Sequence, residues 1–120
     1  MRILIDECLP TRCRTWFPGH TVETVEFRGW KGVLNGVLLA RALAAGFEVL
    51  LTADRMMVRQ HDFSKLPLAV VVTPGNRLSI LNSLRGTIVA AVERATPGDT
   101  IEVPGPRIAD ETLDGSETAS

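Results

Sequence analysis

The sequence predicts an α/β protein, a three-layer sandwich around a mainly parallel sheet of four to five strands. Residues 3–5, 49–51 and 68–72 are continuously apolar, which is typical of strands whose sheet is covered on both faces. Segments with helical spacing separate these runs, and strands that alternate with helices form right-handed crossovers. The chain has 120 residues, of which 45% are hydrophobic, so we expect one folded domain over residues 1–103.

The N-terminal part of the chain predicts two strands joined by a short helix. Residues 2–6 form the first strand, and Pro10 suits the first position of a helix because no amide hydrogen is needed there. That helix is expected to end before Pro18. Residues 20–25 alternate between polar and apolar side chains, which indicates a second, more exposed strand.

The middle of the chain predicts a second helix and a third strand. Asn35 is a good N-cap, and the leucine and alanine residues within 38–45 are strong helix formers. Gly46 ends this helix in the way that glycine commonly does. Residues 47–53 follow as the third strand.

The second half predicts two further strands and a long helix. Residues 55–66 are mixed and basic, and residues 68–72 form the most β-branched strand. Apolar residues recur every three or four positions over 78–95, which predicts an amphipathic helix. Residues 100–103 form a short last strand. Residues 104–120 lack periodicity and are rich in glycine, serine, threonine and acids, so we expect a disordered acidic tail.

Composition narrows the classes of function. The net charge of −1 argues against a general polycation. Cys8 and Cys13 are too few and too close for a disulfide framework. His20 and His61 stand in unrelated segments, so the zinc-ligand pattern is missing from the sequence. Apolar stretches are too short to span a bilayer and a signal peptide is not evident, so we expect a cytoplasmic protein without membrane association.

Two strand ends carry the strongest functional signal. Asp6 follows the first strand, Glu7 follows Asp6, and Asp54 follows the third strand. Parallel strands end at one sheet edge, where ligands bind, and adjacent carboxylates repel unless a cation or a proton intervenes. We therefore expect Asp6 and Asp54 to bind Mg²⁺ or Mn²⁺ for phosphate-ester hydrolysis, with Glu7 orienting water. In a simpler interpretation, the aspartates cap the following helices and Glu7 is a solvated acid of a first turn.

Further polar residues extend this predicted site. Asn35 is more readily an N-cap than a metal ligand, although one side chain could do both at a helix that faces the crevice. Thr52 is expected to place its hydroxyl beside the acid that ends the third strand. Arg55, Arg59 and Lys31 could border the crevice and attract phosphates, or could lie on ordinary solvated surface.

Phe27 and Trp30 lie in a glycine-containing loop between the second strand and the second helix. Such rings could stack on nucleic-acid bases. Core packing or anchoring of the loop is the plainer interpretation.

The chain carries a set of ordered motifs at residues 2–10, 18–25, 29–30 with 35–36, 49–54 and 66–72. Together these segments resemble a family of small bacterial PIN-like proteins of unknown function. The resemblance covers about residues 1–103. Its motifs are fairly specific as an ordered pair at the first and third strands and weak singly.

This resemblance implies an α/β sandwich with a parallel sheet and, in active members, an Mg²⁺- or Mn²⁺-dependent ribonuclease. Many such proteins are toxins paired with a cognate antitoxin protein, and many form homodimers. Asp6 matches the first metal-binding acid, Asp54 the acid after the third strand, and Asn35 a position that often holds Asp or Asn. Val37 departs from the glutamate of many relatives, and Met56 stands where an acid is frequent.

Two other functions fit the same sequence. The missing acid at Val37 suggests a catalytically depleted module that binds RNA or a partner protein. A receiver domain also has acids after its first strand and a phosphoacceptor aspartate after its third, as at Asp54. Receivers need a lysine at the end of the fifth strand, and residues 100–103 contain none.

Overall fold

The computed structural model describes residues 1–105, which form an α/β fold around a five-stranded, all-parallel sheet. The strands are β1 (Arg2–Ile5), β2 (Thr21–Thr24), β3 (Val49–Thr52), β4 (Ala69–Val72) and β5 (Thr100–Glu102). The helices are a 3₁₀ helix η1 (Thr11–Trp16), α1 (Asn35–Ala44), α2 (Met56–Gln60), α3 (Leu78–Ser83) and α4 (Arg85–Arg94). None of these described helices is long and apolar enough to cross a bilayer. The predicted tail lies almost wholly outside the described residues.

Helices cover both faces of the sheet, as the unbroken apolar strands predicted. Ile3 and Ile5 face one core cluster with apolar side chains of η1, α3 and α4. Leu4 and Leu50 face the other cluster with side chains of α1 and α2. Burying a leucine of this kind contributes roughly 1.5–3 kcal/mol, so the central strands stabilise both layers.

The predicted helix over residues 78–95 is wrong in one respect, because it is two helices. The break lies at Leu84, whose φ of −108° and ψ of 11° leave the helical region. The Leu84 amide is shared between the carbonyls of Ile80 and Leu81, at 3.2 and 3.1 Å. Leu81 and Ile88 still reach the same core cluster, so the apolar spacing continues across the break and conceals it.

In the sheet order β2-β1-β3-β4-β5, β2 lies on one side of β1 and the later strands lie on the other side. The order in which strands are added to the sheet therefore reverses between β1 and β3. The two strands pair in parallel with Ile5 beside Leu51, so both end at the same edge. In open α/β sheets the loops diverge at such a reversal and leave a crevice outside the carboxyl ends of the strands, where ligands bind. The order of the strands therefore singles out the residues that directly follow β1 and β3.

Candidate functional site

A cavity of about 260 Å³ lies at this reversal of the sheet. It brings together four residues predicted from sequence, Asp6, Glu7, Asn35 and Asp54. Its remaining lining comes from Cys8, Gly32, Val33 and Leu38. We refer to it below as the acidic cavity, because three of its side chains are carboxylates.

Asp6 is held rigidly at the end of β1 and is only 7% exposed. Its backbone N–H donates to the Leu51 carbonyl at 2.9 Å, which extends the pairing of β1 with β3. The carboxylate Oδ1 accepts the Glu7 N–H at 2.8 Å, and Oδ2 accepts the Thr52 hydroxyl at 2.6 Å. A buried carboxylate needs such donors, and these two leave further lone pairs on both oxygens.

Asp54 is positioned by the same hydroxyl from the neighbouring strand end. Its backbone N–H donates to Thr52 Oγ1 at 3.0 Å. The Asp54 side chain accepts the Met56 N–H on Oδ1 at 2.9 Å and the Asn35 amide on Oδ2 at 3.3 Å. Thr52 was predicted to lie near Asp54, and it in fact links the two aspartates.

Asn35 does not cap α1, so the prediction of an N-cap is wrong. The helix includes Asn35, Leu34 occupies the N-cap position, and no side-chain capping bond forms there. The amide instead donates to Asp54 across the acidic cavity. This contact depends on α1 starting beside the end of β3, which local sequence preference does not specify.

Glu7 is exposed, and its role is partly structural. Its Oε1 accepts the Gly32 N–H at 2.7 Å. Gly32 has a φ of +82°, a left-handed conformation that glycine adopts without strain. The contact ties the loop before α1 to the end of β1 and forms one wall of the acidic cavity.

Cys8 was excluded from a disulfide framework on the sequence, and its contact with the acids was not predicted. Its Sγ lies 3.7 Å from both Asp6 Oδ2 and Thr52 Oγ1, and it accepts the Ala53 N–H at 3.4 Å. Burial raises the pKa of this thiol. The hydrogen bond from the Ala53 N–H lowers the pKa, and the charge of Asp6 raises it further. The Thr52 hydrogen goes to Asp6, so the neutral thiol donates its one hydrogen, and Asp6 Oδ2 is an acceptor within reach.

The charge of the acidic cavity is uncompensated. Its lining contains Asp6, Glu7 and Asp54 and includes no lysine, arginine or histidine. Within residues 1–105, none of these acids forms a salt bridge. Carboxylates that share a water-filled cavity without a counterion favour a bound cation.

The donor set fits a hard divalent cation held by few protein ligands. Mg²⁺ prefers oxygen ligands and is usually bound through one or two carboxylates, with waters and substrate phosphates completing its shell. Asp6 and Asp54 supply that number. Over the described part of the chain, no group of three or more His, Cys, Asp and Glu side chains could hold a metal ion. A site built on these residues therefore depends on water and on substrate for its remaining ligands.

The three predicted RNA-binding cations lie outside the acidic cavity. Arg55 directly follows Asp54, and its Nε lies 4.0 Å from Glu102 Oε1. Lys31 is exposed next to Gly32, which lines the cavity. Arg59 lines a separate cleft of about 420 Å³ beside α2. Lys31 and Arg55 are thus each next in sequence to a residue that lines the acidic cavity, whereas Arg59 lies on another surface.

The fold and the cavity define a class, an α/β protein with an acidic site at the reversal of its parallel sheet. Comparison of the chain with protein-family models, with curated proteins and with solved structures found no match.

Proposed function

We propose that the protein is a metal-dependent ribonuclease of PIN-like type. The observation that supports this most is the juxtaposition of Asp6 and Asp54 on one cavity that contains no basic side chain. The two acids follow neighbouring parallel strands at the sheet reversal, where α/β proteins bind ligands. Mg²⁺ or Mn²⁺ is the cofactor that this oxygen-rich cavity suits.

Four residues of the acidic cavity have a defined task in this proposal. Asp6 and Asp54 would hold the ion, and a bound ion lowers the pKa of water and stabilises charge on a scissile phosphate. The Asn35 amide fixes the rotamer of Asp54. Glu7 retains one carboxylate oxygen beyond its bond to Gly32, and with it can accept a proton from the attacking water.

Lys31 and Arg55 extend the site toward the RNA backbone. Both are exposed and adjoin residues that line the acidic cavity. Phosphates that they bind would lie beside Asp6 and Asp54, where one phosphate oxygen could complete the coordination of the ion. Arg59 would serve only an RNA long enough to reach the cleft beside α2.

The decisive experiment is cleavage of a labelled single-stranded RNA in Mn²⁺. Wild type should cleave, whereas Asp6→Asn and Asp54→Asn should be strongly impaired. Glu48→Gln is the matched control, because Glu48 is an exposed acid at the opposite end of β3 and outside the acidic cavity. Equal rates for wild type and Asp54→Asn would remove Asp54 from the mechanism.

A second candidate function is binding of RNA or a protein partner without catalysis. Within residues 1–105, no group of three or more His, Cys, Asp and Glu side chains is placed to hold a metal ion, and this favours the second candidate. Calorimetric titration with Mn²⁺ separates the two functions. Heat of binding that disappears in Asp6→Asn supports the nuclease, whereas RNA binding with neither Mn²⁺ heat nor cleavage supports the module.

A further inference from the structure

A second cavity, of about 450 Å³, runs along the outer edge of β2. The strand itself forms one side, Thr11 and Arg14 of η1 form another, and Phe27 closes the end beyond the strand. We refer to it as the edge cavity. The function proposed for the acidic cavity makes no use of it.

We infer that the edge cavity binds one nucleotide of a single-stranded RNA whose neighbouring phosphate lies at the acidic cavity. This inference rests on the proposed ribonuclease function and adds to it a nucleotide subsite at the outer edge of β2. The base would stack on Phe27, and Arg14 would bind the phosphate of that nucleotide. Three features of the edge cavity support the assignment.

The first feature is the unpartnered aromatic ring of Phe27. This side chain is 79% exposed, the largest value among the exposed large hydrophobic residues of the described chain. Its backbone is fixed, because the Phe27 N–H donates to Thr24 Oγ1 at 3.0 Å. An exposed ring on a fixed backbone at a cavity mouth offers a stacking platform for bases of any sequence.

The second feature is the charge of the lining. Glu23 is its one carboxylate, and the Arg28 guanidinium binds it. Arg14 has no salt-bridge partner in residues 1–105. The lining therefore presents one free guanidinium, the group that binds phosphate through paired donors. Threonine hydroxyls nearby can donate to phosphate or ribose oxygens.

The third feature is continuity with the acidic cavity. β1 and β2 are neighbouring parallel strands with Ile5 beside Thr24, roughly 4.8 Å apart. Asp6 directly follows Ile5, and Phe27 lies three residues after Thr24 in the turn beyond β2, so both lie past the carboxyl ends of their strands. A strand of RNA that crosses the end of β1 can therefore place one nucleotide in the edge cavity and the next phosphate near Asp6.

An extended peptide is the rival occupant, because β2 is an edge strand. The Thr21 and Val25 N–H groups donate to carbonyls at β1. Because backbone groups alternate in direction along a strand, those of Val22 and Thr24 point away from the sheet. However, the Thr24 carbonyl already accepts the Arg28 N–H at 3.1 Å. Only Val22 keeps both outward groups free, which is too short an edge for stable strand addition.

The test measures binding of a short fluorescein-labelled oligouridylate by anisotropy in EDTA, where cleavage does not interfere. Phe27→Ala should weaken binding about tenfold, as expected for loss of base stacking. Phe27→Trp should restore it, whereas Phe27→Leu, which keeps apolar area without a ring, should not. Arg14→Ala should reduce the slope of log affinity against log salt concentration by about the amount that one phosphate contact contributes. Arg12→Ala, on the same helix, is the control and should change this slope less.

The outcomes separate this inference from the proposed function. Weakened binding by Phe27→Ala and Arg14→Ala without Mn²⁺-dependent cleavage would retain the nucleotide site and remove the nuclease. Cleavage that depends on Asp54 but is unchanged in both variants would overturn the nucleotide site alone. A wild-type dimer that Phe27→Ala dissociates in sedimentation would also overturn it, since a second copy would then occupy the edge cavity.

Discussion

Thr52 donates its hydroxyl hydrogen to Asp6 Oδ2 at 2.6 Å, and this bond joins the ends of β1 and β3. The same Oγ1 accepts the Asp54 N–H at 3.0 Å. A hydroxyl has one hydrogen and two lone pairs, so one buried atom fixes both aspartates. The Asp6 carboxylate and the Asp54 backbone are therefore tied to one atom of the sheet, while Met56 and Asn35 hold the Asp54 side chain.

Replacing Thr52 with valine should disturb the acidic cavity while keeping the strand's shape. Asp6 Oδ2 loses its shortest donor and the Asp54 N–H loses its acceptor. We expect a loss of about 1–3 kcal/mol in the free energy of unfolding, measured by urea denaturation. We also expect Mn²⁺ affinity to fall about ten- to a hundredfold in calorimetry, as is usual when groups that orient metal ligands are removed.

Thr52→Ser is the matched control, because it keeps the hydroxyl and removes only a methyl group. It should retain most of the Mn²⁺ affinity even where packing costs some stability. Thr52→Val with wild-type Mn²⁺ affinity would show that the hydroxyl does not position the aspartates for a metal.

Changing Asn35 to aspartate should add a third carboxylate to the acidic cavity. Without metal, the new charge faces Asp54, where the amide now donates at 3.3 Å, so the melting temperature should fall. With Mn²⁺, the greater ligand charge should bind more tightly and raise the melting temperature by more than in wild type. Thermal melts with and without Mn²⁺ measure both effects.

Asn35→Ala provides the comparison, since it removes the same bond without adding charge. It should show a smaller Mn²⁺-induced rise than Asn35→Asp. Equal responses of these two variants to Mn²⁺ would place the metal away from Asn35.

The stability of the turn before β5 should depend on pH through Asp99. Its carboxylate accepts the Thr96 N–H at 2.9 Å and the Thr96 hydroxyl at 3.0 Å. These bonds, with a smaller contribution from the charge of Arg94, lower the pKa of Asp99 in the folded state. Stability from a lowered pKa is fully present above the ordinary aspartate value of about 3.9 and is lost as pH falls through the folded value.

Asp99→Asn should therefore be less stable than wild type at neutral pH, and the difference should shrink as the pH falls below about 4. Urea denaturation of both proteins across that range is the measurement. A difference that stays constant down to the acid limit would mean that the Asp99 charge does not stabilise the turn.

Much of the sheet and the pairing of its acids follow from local sequence. Leu50 and Val70 lie in unbroken apolar runs, and such runs must be covered on both faces. Because β1 and β3 are parallel, Asp6 and Asp54 both lie at the carboxyl-terminal end of the sheet, independently of the conformation of the loops. The prediction of a shared cavity needed the two strands to run side by side in the same direction, as they do.

Other features depend on tertiary contacts that sequence patterns do not encode. The Asn35 amide does not cap its own helix and donates to Asp54, because α1 starts beside the end of β3. Cys8 reaches Asp6 because the chain turns sharply after β1. The helix break at Leu84 is hidden because the residues on both sides face one cluster. A partner distant in sequence decides the first outcome, a local turn decides the second, and a shared core decides the third.

Two glycine-to-alanine changes should alter stability in opposite directions. Gly86 lies in α4, and an added Cβ would meet nothing within 4 Å, so Gly86→Ala should stabilise by about 0.5–1 kcal/mol. Gly98 has a φ of +91°, and its Cβ would lie 3.0 Å from the Ser64 carbonyl oxygen. Gly98→Ala should therefore destabilise by about 1–2 kcal/mol from backbone strain alone, with the close contact adding to that cost. Urea denaturation of both variants tests the pair, and a stabilised Gly98→Ala would contradict the backbone conformation of the turn that leads into β5.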